Sequence, residues 1–236
     1  IIYDKDIKNK LPNLLNNLYK ILPNNIVGIT GTNGKTSVCW YLSQILNLNK
    51  INVSYLGTLG EYYNGKKISN LSNTTPNICL LYKTAFKHCK KGSKNFIFEA
   101  SSHGLDQGRV EGLPINIAAV TNISQDHLDY HRNMKFYRKA KFKILTNYLE
   151  EKGIAIVNSK IRIPKKIMKI LYNKSIKLIR YGSDKSKIYI IKKNKKLFLS
   201  INNKKYNLNL ILHNDYDISN FECAICIALE MGIRKK

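Results

Sequence analysis

Acidic residues are scarce in this chain: 15 Asp and Glu stand against 40 Lys and Arg in 236 residues, a formal net charge of +25. That balance favours anionic partners. The lysines are nevertheless scattered rather than gathered into a basic arm, and no nucleic-acid recognition motif accompanies them, so no specific nucleic-acid partner is expected. Lys, Asn and Ile are abundant together, as in a protein from a compositionally biased genome. No uninterrupted apolar run reaches the roughly 18 residues of a membrane span, and no charged n-region, apolar h-region and cleavage pattern opens the chain. The expectation is a cytoplasmic protein without a membrane partner. The five cysteines, Cys39, Cys79, Cys89, Cys223 and Cys226, are an odd number that fits reduced thiols. Cys223-Ala-Ile-Cys226 lacks the second ligand pair of a structural zinc site, so core packing is expected. His127 and His131 have the i, i+4 spacing that suits zinc, but Leu128 stands where that hydrolase motif needs glutamate. There is no internal repeat.

What is present starts with Gly28-Ile-Thr-Gly31-Thr32-Asn33-Gly34-Lys35-Thr36. An apolar run enters it and a helix-like segment leaves it, the layout of a phosphate-binding loop in a shortened form. Glycines let several N–H groups converge on one anion, and the helix start adds unpaired donors. Gly31, Thr32, Asn33, Gly34, Lys35, Thr36 and Ser37 are therefore the candidate ATP-binding stretch. Lys35 offers a full charge to the β- and γ-phosphates, and Thr36 a hydroxyl to Mg²⁺.

Two further polar clusters follow short apolar runs. One is Glu99-Ala-Ser101-Ser102-His103-Gly104-Leu105-Asp106-Gln107-Gly108-Arg109-Val110; the other ends in Asp126-His127-Leu128-Asp129-Tyr130-His131. In a parallel sheet such positions are the carboxyl ends of strands, where open α/β sheets bind ligands. Three loaded strand ends argue for one shared site.

The phosphate loop, Asn73-Thr74-Thr75-Pro76 and these two strings, in this order, resemble the Mur ligases, ATP-dependent amino-acid ligases of peptidoglycan synthesis. The Glu99–Val110 string resembles the MurE branch, which adds the third amino acid to UDP-MurNAc-L-Ala-D-Glu. The resemblance implies that ATP activates the D-Glu carboxylate as an acyl phosphate, which the amine of a diamino acid then attacks. It implies a muropeptide contact set of Asn73, Thr74, Thr75, Ser101, Gln107 and Arg109. Arg109 could also hold a carboxylate or phosphate bidentately. Metal ligands implied are Thr36 and Glu99 on one Mg²⁺ and His127 on a second. Lys141, in Tyr137-Arg-Lys-Ala-Lys141, matches the family lysine that reacts with CO₂ to a carbamate, an anion that can face Mg²⁺ as a further metal ligand; Lys139 is the alternative register. Read from the helix alone, among Lys135, Lys139 and Lys143, Lys141 is a solvated charge. Catalytic weight thus falls on Lys35, His127 and Lys141. Asn220 matches an asparagine near the adenine. Two departures stand out: Arg132 replaces the usual glycine after Asp-Tyr-His, and Asp217 replaces the first asparagine of the pattern that ends at Asn220.

The resemblance also sets the expected organisation. Residues 1–25 read as the tail of an N-terminal UDP-binding domain and linker, 26–232 as the central ATP-binding domain, and 233–236 as the start of a linker to a C-terminal domain that carries the amino-acid pocket. The chain therefore reads as a monomeric piece of a longer enzyme. Meso-diaminopimelate and lysine remain equal candidates for the third amino acid. A folylpolyglutamate synthase-like enzyme and a non-catalytic nucleotide-binding module are the other readings.

The fold class expected is α/β, a mostly parallel sheet with flanking helices of the Mur central-domain type plus a small antiparallel annex. Periodicity predicts helices over 6–22, 37–48, 76–90, 133–149, 164–172 and 216–231. Strands are predicted over 26–30, 52–59, 61–68, 95–100, 115–121, 153–157, 177–181, 187–192, 196–201 and 206–212, with a possible hairpin at Asn64-Gly65. Thr75 is read as a helix cap with Pro76 in the first turn.

Overall fold

A computed structural model describes residues 5–186, 188–193, 196–212 and 214–233. The first half contains α1 (Ile7–Leu18), β1 (Asn25–Thr30), α2 (Lys35–Leu48), β2 (Val53–Gly57), β3 (Gly60–Tyr63), β4 (Lys66–Ser69), α3 (Ile78–Lys90), β5 (Asn95–Glu99), α4 (Ser102–Asp106) and β6 (Ile115–Val120). The second half contains α5 (Leu128–His131), α6 (Met134–Lys143), β7 (Leu149–Asn158), α7 (Lys165–Asn173), β8 (Lys177–Tyr181), β9 (Ile188–Lys193), β10 (Lys196–Ile201), β11 (Lys204–Leu208) and α8 (Asp215–Glu230).

The main sheet has eight strands in the order β4-β3-β2-β5-β1-β6-β7-β8, and β9–β11 form a separate antiparallel sheet. From β2 through β8 the neighbouring strands run parallel; β3 and β4 add an antiparallel edge. Central strands β5 and β6 read as almost unbroken apolar runs because both faces are covered. One face packs Ile26, Phe96, Phe98 and Val120 against Leu81, Phe142 and Leu145. The other packs Val27, Ile29, Ile97 and Ala119 against Val38 and Leu42 of α2 and Cys223 and Ile227 of α8. Cys223 and Cys226 are both fully buried in that layer. Leu15 of α1 is buried in the first layer, with Leu11, Tyr19 and Leu22 beside it.

The sheet brings the carboxyl ends of β5, β1 and β6 side by side, with Ile29 opposite Glu99 and Thr30 opposite Val120. The chain moves from β1 outward to β2, returns to β5, then crosses β1 to reach β6. That reversal is where doubly wound sheets open a ligand crevice.

Several expectations are corrected. The cap of α3 is Asn77, whose side chain accepts from the Leu80 N–H at 2.9 Å. Thr75 is not the cap; its hydroxyl donates to the Glu99 carbonyl at 2.8 Å instead. The helix expected over 133–149 ends at Lys143, passes through a π-turn at Ile144–Tyr148, and yields to β7 at Leu149. Leu149 suits either periodicity, and pairing with Ile115 settles it in the sheet. The hairpin expected at Asn64-Gly65 is borne out, with Asn64 at φ 49° and Gly65 at φ 77° as a two-residue turn requires. Short helices α4 and α5 form within the polar clusters that follow β5 and β6. The strand expected from 187 begins at Ile188; residue 187 and residues 234–236 of the expected linker lie outside the described residues.

Candidate active site

The loop after β1 has no room for side chains at two positions. A Cβ on Gly31 would lie 1.8 Å from Thr121 Oγ1, and one on Gly34, at φ 84°, would lie 2.1 Å from Asn220 Oδ1. Gly34 ends the loop, so α2 begins at Lys35, two residues earlier than periodicity alone predicts. The end of β6 clasps the loop: Asn33 N–H donates to Asn122 Oδ1 at 3.0 Å, while Thr121 Oγ1 and Asn122 Nδ2 donate to the Asn33 carbonyl at 2.6 and 2.8 Å. Thr32 Oγ1 donates to the Ser124 carbonyl or shares a proton with Tyr137 Oη, at 3.1 and 2.9 Å. Lys35 Nζ folds back onto the Gly31 and Thr32 carbonyls, both at 2.9 Å. Burial lowers its pKa, and the Glu99 and Asp126 carboxylates work against that.

Glu99, at the end of β5, is fully buried. Its Oε1 accepts from Tyr55 Oη and the Thr58 N–H; its Oε2 accepts from Thr36 Oγ1 at 2.8 Å and Thr58 Oγ1 at 3.1 Å. Among the described residues no Lys, Arg or His forms an ion pair with it. Tyr55 and Thr58 were missed by sequence reasoning. Their place, Tyr55 within β2 and Thr58 just after it, beside the Glu99 strand, is their signal.

Lys141 is 1% exposed. Its Nζ donates to the Gly31 carbonyl at 2.7 Å and lies 4.6 Å from the Tyr137 ring centroid. Burial, then the Lys35 charge, lowers its pKa to about 6. The solvated reading of this lysine is therefore corrected. Lys139, the alternative register, is exposed.

Thr75, Ser101, Gln107 and Arg109 form one connected edge. Thr75 Oγ1 lies 3.1 Å from Ser101 Oγ and accepts from the Ser101 N–H at 2.8 Å. Arg109 reaches the Thr75 carbonyl at 2.7 Å and Gln107 Oε1 through Nε and Nη2. Its fork is thus occupied by protein acceptors rather than presented bare. Thr74 Oγ1 lies 3.1 Å from Thr58 Oγ1, which ties this edge to Glu99. Asn73 is exposed, and its Nδ2 donates to Ser72 Oγ at 3.3 Å.

His127 has a left-handed backbone, φ 50°, and caps nothing. Its Nε2 is 3.4 Å from Asp126 Oδ2, and its ring meets His103 at 4.9 Å between centroids. His131 is buried and packs on Tyr137 and His103. Burial lowers the pKa of both His103 and His131, and their neighbouring histidines add to it. Among the described residues no group of three or more His, Cys, Asp or Glu could hold a metal ion. Asn220 opens on a cavity of about 450 Å³ whose lining includes Thr121, Asn122, Arg138, Asn158 and Tyr216.

A glycine-bearing loop at the carboxyl end of a parallel sheet, beside the buried Glu99, the half-buried Lys35 and the buried Lys141, has the layout of an anion-binding site in an α/β domain. Residues 29–228 match the family model of the Mur ligase middle domain, and the chain belongs to the Mur ligase family. It is 35% identical over 234 residues to the UDP-N-acetylmuramoyl-L-alanyl-D-glutamate–2,6-diaminopimelate ligase of Rickettsia montanensis, covering 95% of this chain and 48% of that protein. The enzyme of the same name from Aquifex aeolicus is 34% identical over 215 residues, covering 89% of this chain and 43% of that protein. A solved structure of a ligase of that name superposes with a TM-score of 0.82 at 24% identity, over 99% of this chain and 49% of that one. The chain spans about half the length of the curated relatives it matches.

Proposed function

We propose that this chain is the nucleotide-binding and phosphoryl-transfer centre of an ATP-dependent ligase that joins 2,6-diaminopimelate to UDP-MurNAc-L-Ala-D-Glu. The observation that carries the reading is the junction of Lys35, Thr36 and Glu99 at the carboxyl ends of β1 and β5, in a chain whose relatives bear that ligase name. Their name also favours diaminopimelate over lysine. Residues before β1 are read as the lead-in from a preceding substrate domain.

The chemistry asks mainly for positioning and positive charge. The D-Glu carboxylate attacks the γ-phosphorus, the β,γ-bridging oxygen leaves with ADP, and an acyl phosphate forms. The diaminopimelate amine then attacks the acyl carbon, phosphate departs with the C–O bond, and the amine loses a proton. In this chain the loop N–H groups and Lys35 hold the β- and γ-phosphates. Asn220 and the cavity beside it take the nucleoside. Thr75, Ser101, Gln107 and Arg109, with Asn73 and Thr74, orient the muropeptide.

The residues present fit a divalent cation. Glu99 is a buried carboxylate that adjoins a threonine hydroxyl and, among the described residues, has no ion-pair partner. Mg²⁺ on a nucleotide needs only one or two such protein oxygens. When bound, Mg²⁺ would neutralise charge on the phosphates. Thr36 and Glu99 would hold it, and His127 would face a second ion.

Lys141 is read as the carbamate: its neutral amine attacks CO₂, a C–N bond forms, and one proton is released. The support is physical. Lys35 and Lys141 both donate to the Gly31 carbonyl, so two ammonium ions there repel each other. A carbamate turns that repulsion into attraction, and the lowered pKa supplies the neutral amine. Growth in ¹³C-bicarbonate should give a carbamate carbon signal that Lys141→Met lacks; equal signals in both would remove this assignment.

The ligase reading is tested by phosphate release from the full gene product. Release should require Mg-ATP, UDP-MurNAc-L-Ala-D-Glu and diaminopimelate together. A folded protein that binds ATP but releases no phosphate under these conditions would refute it.

A further inference from the structure

A second cavity, of about 360 Å³, is shaped by α4, α5 and α6 and shares no lining residue with the nucleotide cavity or the muropeptide edge. Its charged walls are Arg132, Lys139, Lys143 and Asp106, and His131 also lines it. Asp106 is already paired with Lys143 at 2.6 Å, and that bond holds its carboxyl below the usual range. Three cations against one carboxylate leave net positive charge in a concave site, which focuses the field toward an anion. Arg132 and Lys139 are exposed, and among the described residues neither has a hydrogen-bond or ion-pair partner.

Two further observations make this more than a basic surface. Arg132 sits at φ 64°, ψ −41°, and the Asn133 N–H donates to the His131 carbonyl at 2.7 Å across it. That is a γ-turn in its rare, strained form. A side chain is held where glycine would be relaxed, and the strain delivers a guanidinium to this cavity. Independently, His131 is 4% exposed and its Nε2 has no hydrogen-bond partner among the described residues. A buried ring nitrogen without a partner is uncommon, and His131 lines this cavity.

We infer that this cavity binds a diphosphate-class anion, at a site separate from the phosphate loop. Arg132 supplies the planar fork that matches paired phosphate oxygens, and Lys139 adds a point charge. Cations from two places, Arg132 after α5 and Lys139 on α6, line the same cavity, which favours two linked groups. The anion is either free pyrophosphate or the diphosphate of a sugar nucleotide. The inference does not depend on the ligase reading.

Inorganic pyrophosphate titrated calorimetrically into the Lys35→Ala protein, whose phosphate loop is disabled, should still fill one site. Adding Arg132→Gly or Lys139→Gln should weaken that site at least tenfold, while adding Lys135→Gln should leave it unchanged. Arg132→Gly relaxes the turn and Lys139→Gln keeps an exposed helix position, so melting curves should confirm two folded variants. The His131 ring ¹⁵N resonances should shift with pyrophosphate in step with the calorimetric isotherm. No binding to Lys35→Ala, or binding that ignores both pocket variants, would overturn the inference. UDP-N-acetylglucosamine then identifies the source: displacement of pyrophosphate assigns the site to a sugar nucleotide, and lack of displacement assigns it to the free anion.

Discussion

Lys139 and Lys141 stand two residues apart on α6, yet they occupy different solvents. Lys139 faces water, while Lys141 shares the inner face with Tyr137 and Ala140 and donates to the Gly31 carbonyl. The inner face continues into Ile144 and Leu145 in the core. Lys141 therefore fills a place in an apolar stripe. Removing an ammonium from water is costly, and the protein responds by lowering its pKa to about 6. Residue type is the same on both faces; burial separates a solvated charge from an amine whose pKa is drawn down to about 6.

Function should break this comparison most sharply. In the full gene product, Lys141→Met should lower the ligase rate by roughly 10²- to 10³-fold, the scale of losing one preorganised charge-stabilising group. Steady-state phosphate release measures this, and a rate within threefold of the parent would make the inner lysine a packing residue.

Stability gives the next largest effect. Between about pH 6 and the free-lysine value of roughly 10.4, the unfolded chain holds a proton that folded Lys141 does not. The unfolded state binds more protons, so this group makes stability rise with pH across that window. Lys141→Met removes the slope. In CO₂-depleted buffer, urea melts should show its advantage over the parent widest near pH 6 and shrinking toward pH 10.

Glu222 on α8 sharpens the comparison with the opposite charge. It is buried, accepts from the Ile190 N–H at 2.6 Å, and burial raises its pKa to about 7. Here the folded state holds the extra proton between roughly pH 4.3 and 7, so stability falls as pH rises through that range. Glu222→Gln should gain on the parent as pH climbs from 5 to 7.5, the reverse of the Lys141 trend. The smallest effect belongs to the outer face: Lys135→Gln should change unfolding free energy by no more than about 0.5 kcal/mol, as surface substitutions do.

These contrasts show what the chain made legible. The glycine-bearing turn after β1, the polar strand ends and the mostly parallel sheet were readable because glycine spacing and apolar runs are local signals. Cys223 and Cys226 sit in the core as their helical spacing implied. The geometry around Glu99 was not readable, since Tyr55 and Thr58 reach it from β2 and the turn after it, 44 and 41 residues away in sequence. The same holds for the clasp of Thr121 and Asn122 on Asn33, 88 and 89 residues distant. Two local readings failed because tertiary contacts outweighed propensity: Thr75 was drawn to the Glu99 carbonyl, leaving Asn77 as cap, and Leu149 was drawn into β7. The burial of Lys141 was hinted at by its place in the 137–141–144 stripe. Neighbouring lysines on the same helix masked that hint.

The central claim is that the carboxyl ends of β1 and β5 hold ATP phosphates through Lys35, and its most direct test is thermal melting with and without Mg-ATP. At one hundred times Kd the ligand should stabilise the protein by about 2.7 kcal/mol, a rise of roughly 5–10 °C for a chain of this size. Lys35→Ala should abolish that rise while melting near the parent without ligand. An undiminished rise in a folded Lys35→Ala protein would contradict the account.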